Sequence, residues 1–360
     1  MGMNIALLPG DDIGPEISSA TRRVLEALDK EGGLDLTFDE REVGMASYRS
    51  NGVTITEDTV QAAIDADGVI LGPAGMSAYP PVAEGGINIP GTIRKRLDLF
   101  ANLRPSRARA SIPHAREGLD VMLVRENTEG FYADRSLYQG YGEFQPTEDT
   151  AMSLRLITRK ASQRIARVAF EQARARNSNV TVIGKRHVLQ VTDGLFMAAV
   201  ADVGEEFPDI LVKEMDVDAM AADLYLRPER FNVLLTTNMY GDILSNEAAA
   251  FAGGLGLAGA LNVGDHHAAA NAGHGSAPDI AGQGIANPTS LIISSALLLD
   301  WWGRKANAAH FTRAAQALEV AVDTALASDT RTGDLGGSAS TTEFADVVIR
   351  AIGPALEQVG

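Results

Sequence analysis

The stretch Ile5-Ala-Leu-Leu-Pro-Gly-Asp-Asp-Ile-Gly-Pro-Glu16 decides how this chain is read. An apolar β-run breaks at Pro9-Gly10, and a helix opens with Pro15 in its first turn. Proline is at home there because the N–H it lacks would have no intrahelical partner, and the acid Glu16 complements the positive helix end. Ile17, Val24, Leu25 and Leu28 then recur on one face, as a core-facing helix requires. A strand running straight into a helix is the repeating unit of an α/β fold. Short apolar runs at 69–71, 121–124, 180–183 and 233–236 repeat the first half of that unit. A second amphipathic helix is predicted at about 158–176, with Ile165, Val168 and Ala169 inward and its arginines outward. Three more are predicted near 289–302, 308–327 and 342–351, and no internal repeat is present.

The 360 residues, 45% of them apolar, exceed the size at which a single core usually divides, so two domains are expected. A formal charge of −16 repels nucleic acid and anionic membrane, which excludes both as expected partners. The absence of cysteine excludes disulfides and thiolate chemistry and permits a reducing compartment. The N-terminus has no basic leader pattern, and the longest apolar run, 291–299, is far short of the roughly 20 residues of a membrane span. The expectation is a soluble, cytoplasmic protein.

Against the acidic background, grouped arginines point to a small anion. Arg94 falls on a helix, Arg104 just past its end, and Arg125 at the end of a strand. Guanidinium forks pair bidentately with carboxylates, so three of them suit a di- or tricarboxylate. The alternative is that Arg94 and Arg96 are ordinary surface residues. Asp242 and Asn246 lie four apart at a helix start and can share one face, with Asp218 as a further oxygen. Hard oxygens of this kind suit Mg²⁺ or Mn²⁺, whereas an Asp at a helix start also commonly serves as a cap. Lys185 follows a strand; beside a metal and arginines its pKa would fall, making it a proton acceptor, and alone it would be a surface lysine. Tyr132 is either a proton donor or a half-buried aromatic.

The segment from Gly273 to Pro288 is rich in small residues that let backbone approach a flat ligand. Asp279 within it could accept both hydroxyls of a ribose and repel a 2′-phosphate, which favours NAD over NADP. Gly254-Leu-Gly-Leu-Ala-Gly259 has GxGxxG spacing, but it follows a helix, so it reads as a helix end and turn. His266 and His267 are adjacent and point apart in regular structure, which suits a surface loop better than a metal.

With these residues in view, the chain resembles the β-decarboxylating dehydrogenases, the isocitrate/isopropylmalate dehydrogenase family. The resemblance is collinear over nearly the whole length. It is carried by Leu8 to Glu16, Asp98-Leu-Phe-Ala-Asn-Leu-Arg-Pro105, Val124-Arg-Glu-Asn-Thr-Glu-Gly130, Gly241-Asp-Ile-Leu-Ser245 and His274 to Pro288. It implies a two-domain α/β fold that is not a Rossmann domain. Residues 1–100 plus 255–360 would form the large cofactor-binding domain and 101–254 the small substrate and dimerisation domain. It also implies a homodimer, or a tetramer built from such dimers, with active sites shared across the interface. By resemblance Arg94, Arg104 and Arg125 bind the malate carboxylates; Asp218, Asp242 and Asn246 bind the metal; Ile13, His274, Gly275, Ala277, Asp279 and Asn287 bind NAD. Lys185 and Asp218, arriving from the other subunit, would take the hydroxyl proton while hydride passes to NAD⁺. Tyr132 would protonate the carbon left after CO₂ departs.

Four departures from the family pattern stand out. Asn246 replaces the usual aspartate, which predicts a weaker metal site. Asp12 replaces a glycine, Asn271-Ala272 replace Glu-Pro, and His187 replaces an asparagine. The substrate-reading segment Glu84 to Ile93 lacks both the paired leucines of isopropylmalate enzymes and the serine of many isocitrate enzymes. Ile87, Ile89 and Ile93 could make an apolar pocket there. The segment leaves the substrate at a 3-substituted malate, with a leaning toward the isocitrate-like group. The competing expectations are a non-catalytic regulatory subunit of an NAD-dependent isocitrate dehydrogenase, for which Asn246 would be a lost ligand, and a metal-dependent hydrolase.

Overall fold

The computed structural model describes residues 2–132, 137 and 139–360. The chain separates into two compact units, Met1–Asp98 with Arg109–His114 and Gly253–Gly360, and Leu99–Ala108 with Ala115–Ala252. It opens in the first unit with β1 (Met3–Leu8), α1 (Gly14–Gly32), β2 (Leu36–Glu40), α2 (Met45–Asn51), α3 (Glu57–Asp65), β3 (Gly68–Leu71) and α4 (Ile89–Arg96). The second unit begins with β4 (Ala101–Arg107), β5 (Asp120–Glu126), β6 (Glu143–Thr147), β7 (Thr150–Ser153), α5 (Arg159–Ala175) and β8 (Val180–Gly184). It continues with α6 (Thr192–Gly204), β9 (Val212–Asp216), α7 (Val217–Leu226), β10 (Val233–Thr236) and α8 (Asn238–Phe251). The chain returns to the first unit for β11 (Gly259–Val263), β12 (Ala268–Ala272), α9 (Thr289–Lys305), α10 (Ala309–Ala327) and α11 (Thr341–Val359).

In the first unit the strands run β2-β1-β3-β12-β11, all parallel except β11 against β12. In the second they run β4-β5-β10-β8-β9, all parallel except β4 against β5. β6 and β7 form a separate antiparallel pair whose residues are all exposed. The five apolar runs read from the sequence are β1, β3, β5, β8 and β10. Three of them, β3, β8 and β10, are buried along their whole length, as parallel strands covered on both faces must be. Helix α1 buries Ile17, Val24, Leu25 and Leu28 and closes on Gly33, whose left-handed φ of 63° lets its N–H reach Asp29 O. Thr158 caps α5 by accepting the N–H of Ala161.

Three expectations change. Arg104 lies within strand β4, not just past the end of α4, because the segment after Asp98 pairs with β5 over its full length. The Gly- and Ala-rich stretch after Phe251 contains two strands, β11 and β12, that lack the β-branched pattern. Their small residues admit α9, whose Ser290 and Ser294 hydroxyls bond to strand backbone at Gly273 N (2.8 Å), Ala260 N (2.9 Å) and Asn271 O (2.6 Å). Helix α11 runs on to Val359, past the predicted end at 351 and through Pro354, because its buried stripe continues through Ile352 and Ala355. Among the described residues no helix is long and apolar enough to cross a membrane.

Candidate active site

Because β5, β10, β8 and β9 are parallel neighbours, their carboxyl ends share one edge of the second unit. That edge is where α/β sheets gather ligand-binding groups. Arg125 is near the end of β5, Asn238 to Asn246 follow β10, Lys185 follows β8, Asp216 ends β9 and Asp218 follows it.

Asp242 is the hub of the first group. Its carboxylate pairs with Arg125 and lies 3.5 Å from Arg104 Nη1, and its other oxygen accepts the Tyr132 hydroxyl at 3.3 Å. The same Arg104 nitrogen donates to Ser245 Oγ at 2.7 Å and reaches Asn246 Oδ1 at 3.5 Å. Arg125 is almost entirely enclosed, with 3% side-chain exposure, and donates through Nε and Nη2 to Asn238 Oδ1 at 3.0 and 2.7 Å. Its aliphatic stem lies over Gly241, where an added Cβ would come 2.6 Å from Arg125 Cγ, so Gly241 is required for the arginine's approach. Burial pushes the Arg104 guanidinium below its ordinary pKa, against the pull of Asp242. The carboxylate therefore holds two buried cations in place.

The sequence placed Asp242 at a helix start, yet α8 begins at Asn238 with Thr237 as its flanking residue. Asp242 is thus not a cap, and its side chain remains 34% exposed. Asn246, one turn on, presents its amide oxygen to the same arginine. Two hard oxygens on one helix face fit a divalent cation in donor chemistry. Among the described residues no group of three His, Cys, Asp or Glu side chains is gathered as a metal cluster, so one copy of these residues does not assemble a full carboxylate set.

Lys185, just after β8, and Asp218, in the first turn of α7, form a second group. Lys185 Nζ pairs with Asp218 and lies 3.3 Å from Asp216 Oδ2, which also sits 3.1 Å from His187 Nδ1. The hydrogen bond to Asp218 comes first among the causes that raise the Lys185 pKa above its ordinary value. The lysine's neighbours in its own chain are carboxylates, whereas the lowering expected from the sequence belongs to a lysine beside a metal and arginines.

Arg94 lies in α4 of the first unit, and Arg96 pairs with Glu57 at the surface. Ile89 and Ile93 are 0% and 1% exposed, so they belong to the core, while Ile87, the third isoleucine of the expected apolar pocket, is partly exposed. The cofactor loop is built in the same unit. The Ile13 N–H donates to Ser276 O at 3.1 Å, tying the start of α1 to the loop. Asp12, the departure next to it, holds a left-handed φ of 53°, which explains why glycine fits this position. Gly275 has open space around its Cα, and Ala277 takes a left-handed φ of 44° just before the exposed Asp279. His274 Nδ1 lies 2.9 Å from Gly275 O, and burial lowers its pKa. Asn287 donates to Asp334 at 2.9 Å and accepts from Thr289 N at 3.0 Å, so its side chain is engaged internally and the loop offers backbone there. Open glycines around an exposed carboxylate fit a flat ligand carrying a diol.

Sequence reasoning missed the residues that hold these groups in place. Glu16 accepts Gly284 N at 3.1 Å, Ala286 N at 2.9 Å and the Thr341 hydroxyl, pinning the loop to α1. Asp11 accepts Met45 N at 2.7 Å and Gly75 N at 3.0 Å and takes the Tyr79 hydroxyl, whose pKa is driven up by burial and then by that bond. Asn238 joins Arg125 to Glu129 O. Asn238 was legible as a polar residue opening a helix after a strand; the partners of Asp11 and Glu16 are far away in sequence and left no local signal.

A sequence family described as isocitrate/isopropylmalate dehydrogenase matches residues 4–348. The isocitrate/homoisocitrate dehydrogenase of Thermus thermophilus is 42% identical over 354 residues, covering 98% of this chain and 99% of the relative. The 3-isopropylmalate/3-methylmalate dehydrogenase of Methanocaldococcus jannaschii is 39% identical over 353 residues, covering 97% and 98%. The crystal structure of isocitrate dehydrogenase from Methylococcus capsulatus superposes with a TM-score of 0.85 at 35% identity, covering 98% of this chain and 100% of that one.

Proposed function

Since the chain belongs to the isocitrate/isopropylmalate dehydrogenase family, a family of oxidoreductases, we propose that it catalyses NAD-dependent oxidative decarboxylation of a 3-substituted malate, assisted by Mg²⁺ or Mn²⁺. The observation that carries this reading is the Asp242 hub, where two buried guanidinium groups and the Tyr132 hydroxyl meet one carboxylate. Arg104 and Arg125, with Arg94, bind the substrate carboxylates. Asp242, Asn246 and Asp218 would hold the cation. That cation would supply Lewis-acid polarisation of the substrate oxygen, and a bound NAD would supply the hydride acceptor. Lys185, backed by Asp218, takes the hydroxyl proton; Tyr132 returns a proton to carbon once CO₂ has left. In this reading the enzyme is a cytoplasmic homodimer in which Lys185 and Asp218 complete the neighbouring copy's site.

The burial of Ile89 and Ile93 leaves Ile87 alone of the three isoleucines partly exposed, and this reduced apolar lining favours a polar 3-substituent; the names of the relatives include isocitrate and homoisocitrate as well as 3-isopropylmalate. The test is NADH formation with NAD⁺ and Mn²⁺ across D-malate, tartrate, isocitrate, homoisocitrate and 3-isopropylmalate. Turnover strongest on a tricarboxylate is expected; none on any of them would leave the regulatory-subunit reading, which Asn246 favours.

Two substitutions refine this. Asn246→Asp adds a carboxylate oxygen beside Asp242 and is expected to lower the Mg²⁺ or Mn²⁺ activation constant by about tenfold, the equivalent of about 1.4 kcal/mol. An unchanged constant would remove Asn246 from the metal site. Asp279→Ala removes the charge that repels a 2′-phosphate and is expected to narrow the NAD over NADP preference in kcat/KM by about 10- to 100-fold, as loss of a like-charge clash does. An unaltered preference would place cofactor discrimination elsewhere.

A further inference from the structure

We propose that Arg155 and Asp193 are positioning residues for Lys185, locking the lysine's turn to the segments that carry Tyr132 and Asp242; this rests on the reading of Lys185 as proton acceptor. Asp193 sits in the first turn of α6 with 0% exposure. Its Oδ2 accepts the Lys185 backbone N–H at 2.6 Å, and its Oδ1 lies 2.6 Å from Arg155 Nη1. Gly184, the last residue of β8, makes the approach possible: a Cβ there would stand 2.8 Å from Met197 Cε and 3.2 Å from Asp193 Oδ2.

Arg155 is itself 8% exposed and reaches the start of α6, the start of α8 and Phe131. It donates to Thr192 Oγ1 at 2.7 Å, beside Asp193, and to Thr237 Oγ1 at 3.2 Å, where α8 begins. Its guanidinium carbon lies 5.4 Å from the centre of the Tyr240 ring and 5.9 Å from that of Phe131, the neighbour of Tyr132. The next residue, Leu156, exchanges backbone hydrogen bonds of 2.8 and 3.0 Å with Gly130. One guanidinium therefore bridges the ends of β8 and β10 and the start of the Tyr132 segment.

A buried ion pair is weak evidence for stability, because apolar residues of the same volume often pack as well. Packing alone thus leaves this pair unexplained. What an apolar pair could not supply is an acceptor for the peptide N–H of Lys185 at the point where β8 ends. Fixing that peptide sets the root of the lysine side chain, and a misplacement of about 1 Å at a reacting group costs about 100-fold in rate.

The test uses the full-length protein with Asp193→Leu, Asp193→Asn and Arg155→Met. Measured are kcat, KM, the solvent deuterium isotope effect on kcat, and amide hydrogen exchange at Lys185. Asp193→Leu and Arg155→Met are expected to lower kcat about 100-fold with KM within about threefold, as displacement of a group acting in the chemical step does. The isotope effect should rise and the Lys185 amide should lose protection. Asp193→Asn keeps an acceptor and should fall between these and the wild type, which keeps the test open if the leucine variant fails to fold. A kcat lower only in proportion to the folded fraction, with the isotope effect unmoved, would overturn the proposal, since simple instability scales kcat with the folded fraction and leaves the isotope effect unchanged. If the wild type itself turns over no hydroxy acid, the functional reading fails separately. Exchange then decides the clamp alone: lost protection at Lys185 supports it and retained protection overturns it.

Discussion

Arg125→Met is expected to lower kcat/KM by about 1,000-fold or more, on the basis that hydrogen bonds to charged groups contribute about 1.5–3 kcal/mol each and this fork can make two. The guanidinium is the most enclosed of the arginines around Asp242, and its Nη1 faces that carboxylate directly. The loss should appear chiefly as a raised KM, because a carboxylate is held alike before and during the reaction. Stability should fall as well. Removing one partner of a buried pair costs about 3–5 kcal/mol, an upper bound here because the Asp242 side chain is 34% exposed and keeps Arg104 nearby. Steady-state kinetics and thermal unfolding on the same preparation check both effects. A folded variant with an unchanged KM would remove Arg125 from substrate binding.

Lys185→Met should behave differently. Loss of a general base is expected to reduce kcat by about 100- to 10,000-fold while KM stays nearly constant. The fold should be indifferent, because the lysine's partners Asp216 and Asp218 are exposed, with side-chain exposures of 41% and 70%, and exposed ion pairs contribute little. The two variants together also test shared sites. Arg125→Met and Lys185→Met mixed under conditions that exchange subunits should recover about a quarter of wild-type activity, since half of the dimers are mixed and one of their two sites is intact. No recovery after demonstrated exchange would place Lys185 and Arg125 in the same site of the same copy.

The difference between these two residues mirrors what could be read without coordinates. The runs that became β1, β3, β5, β8 and β10 announced themselves because strands covered on both faces must be apolar throughout, and α1 because its stripe repeats at the helical period. Lys185 and Arg125 were legible as charged residues at strand ends. Their environment was not. The carboxylates that raise the Lys185 pKa lie 31 and 33 residues away in sequence, and the direction of the shift follows from which of them fold against it.

By itself, then, the sequence determined the α/β layering, the strand-end placement of the charged residues, and membership of the family through ordered motifs. These are local or collinear properties, written in side-chain periodicity and short spacings. Tertiary structure decided that Gly259–Val263 and Ala268–Ala272 are strands, that Arg104 sits within β4, that Ile89 and Ile93 serve the core, and that Asp242 anchors two arginines. Each of those outcomes depends on a partner distant in the chain. Packing against that partner outweighs local propensity, because a small-residue strand bonded to a serine-bearing helix, or a carboxylate between two buried cations, gains more from its contacts than any local preference supplies.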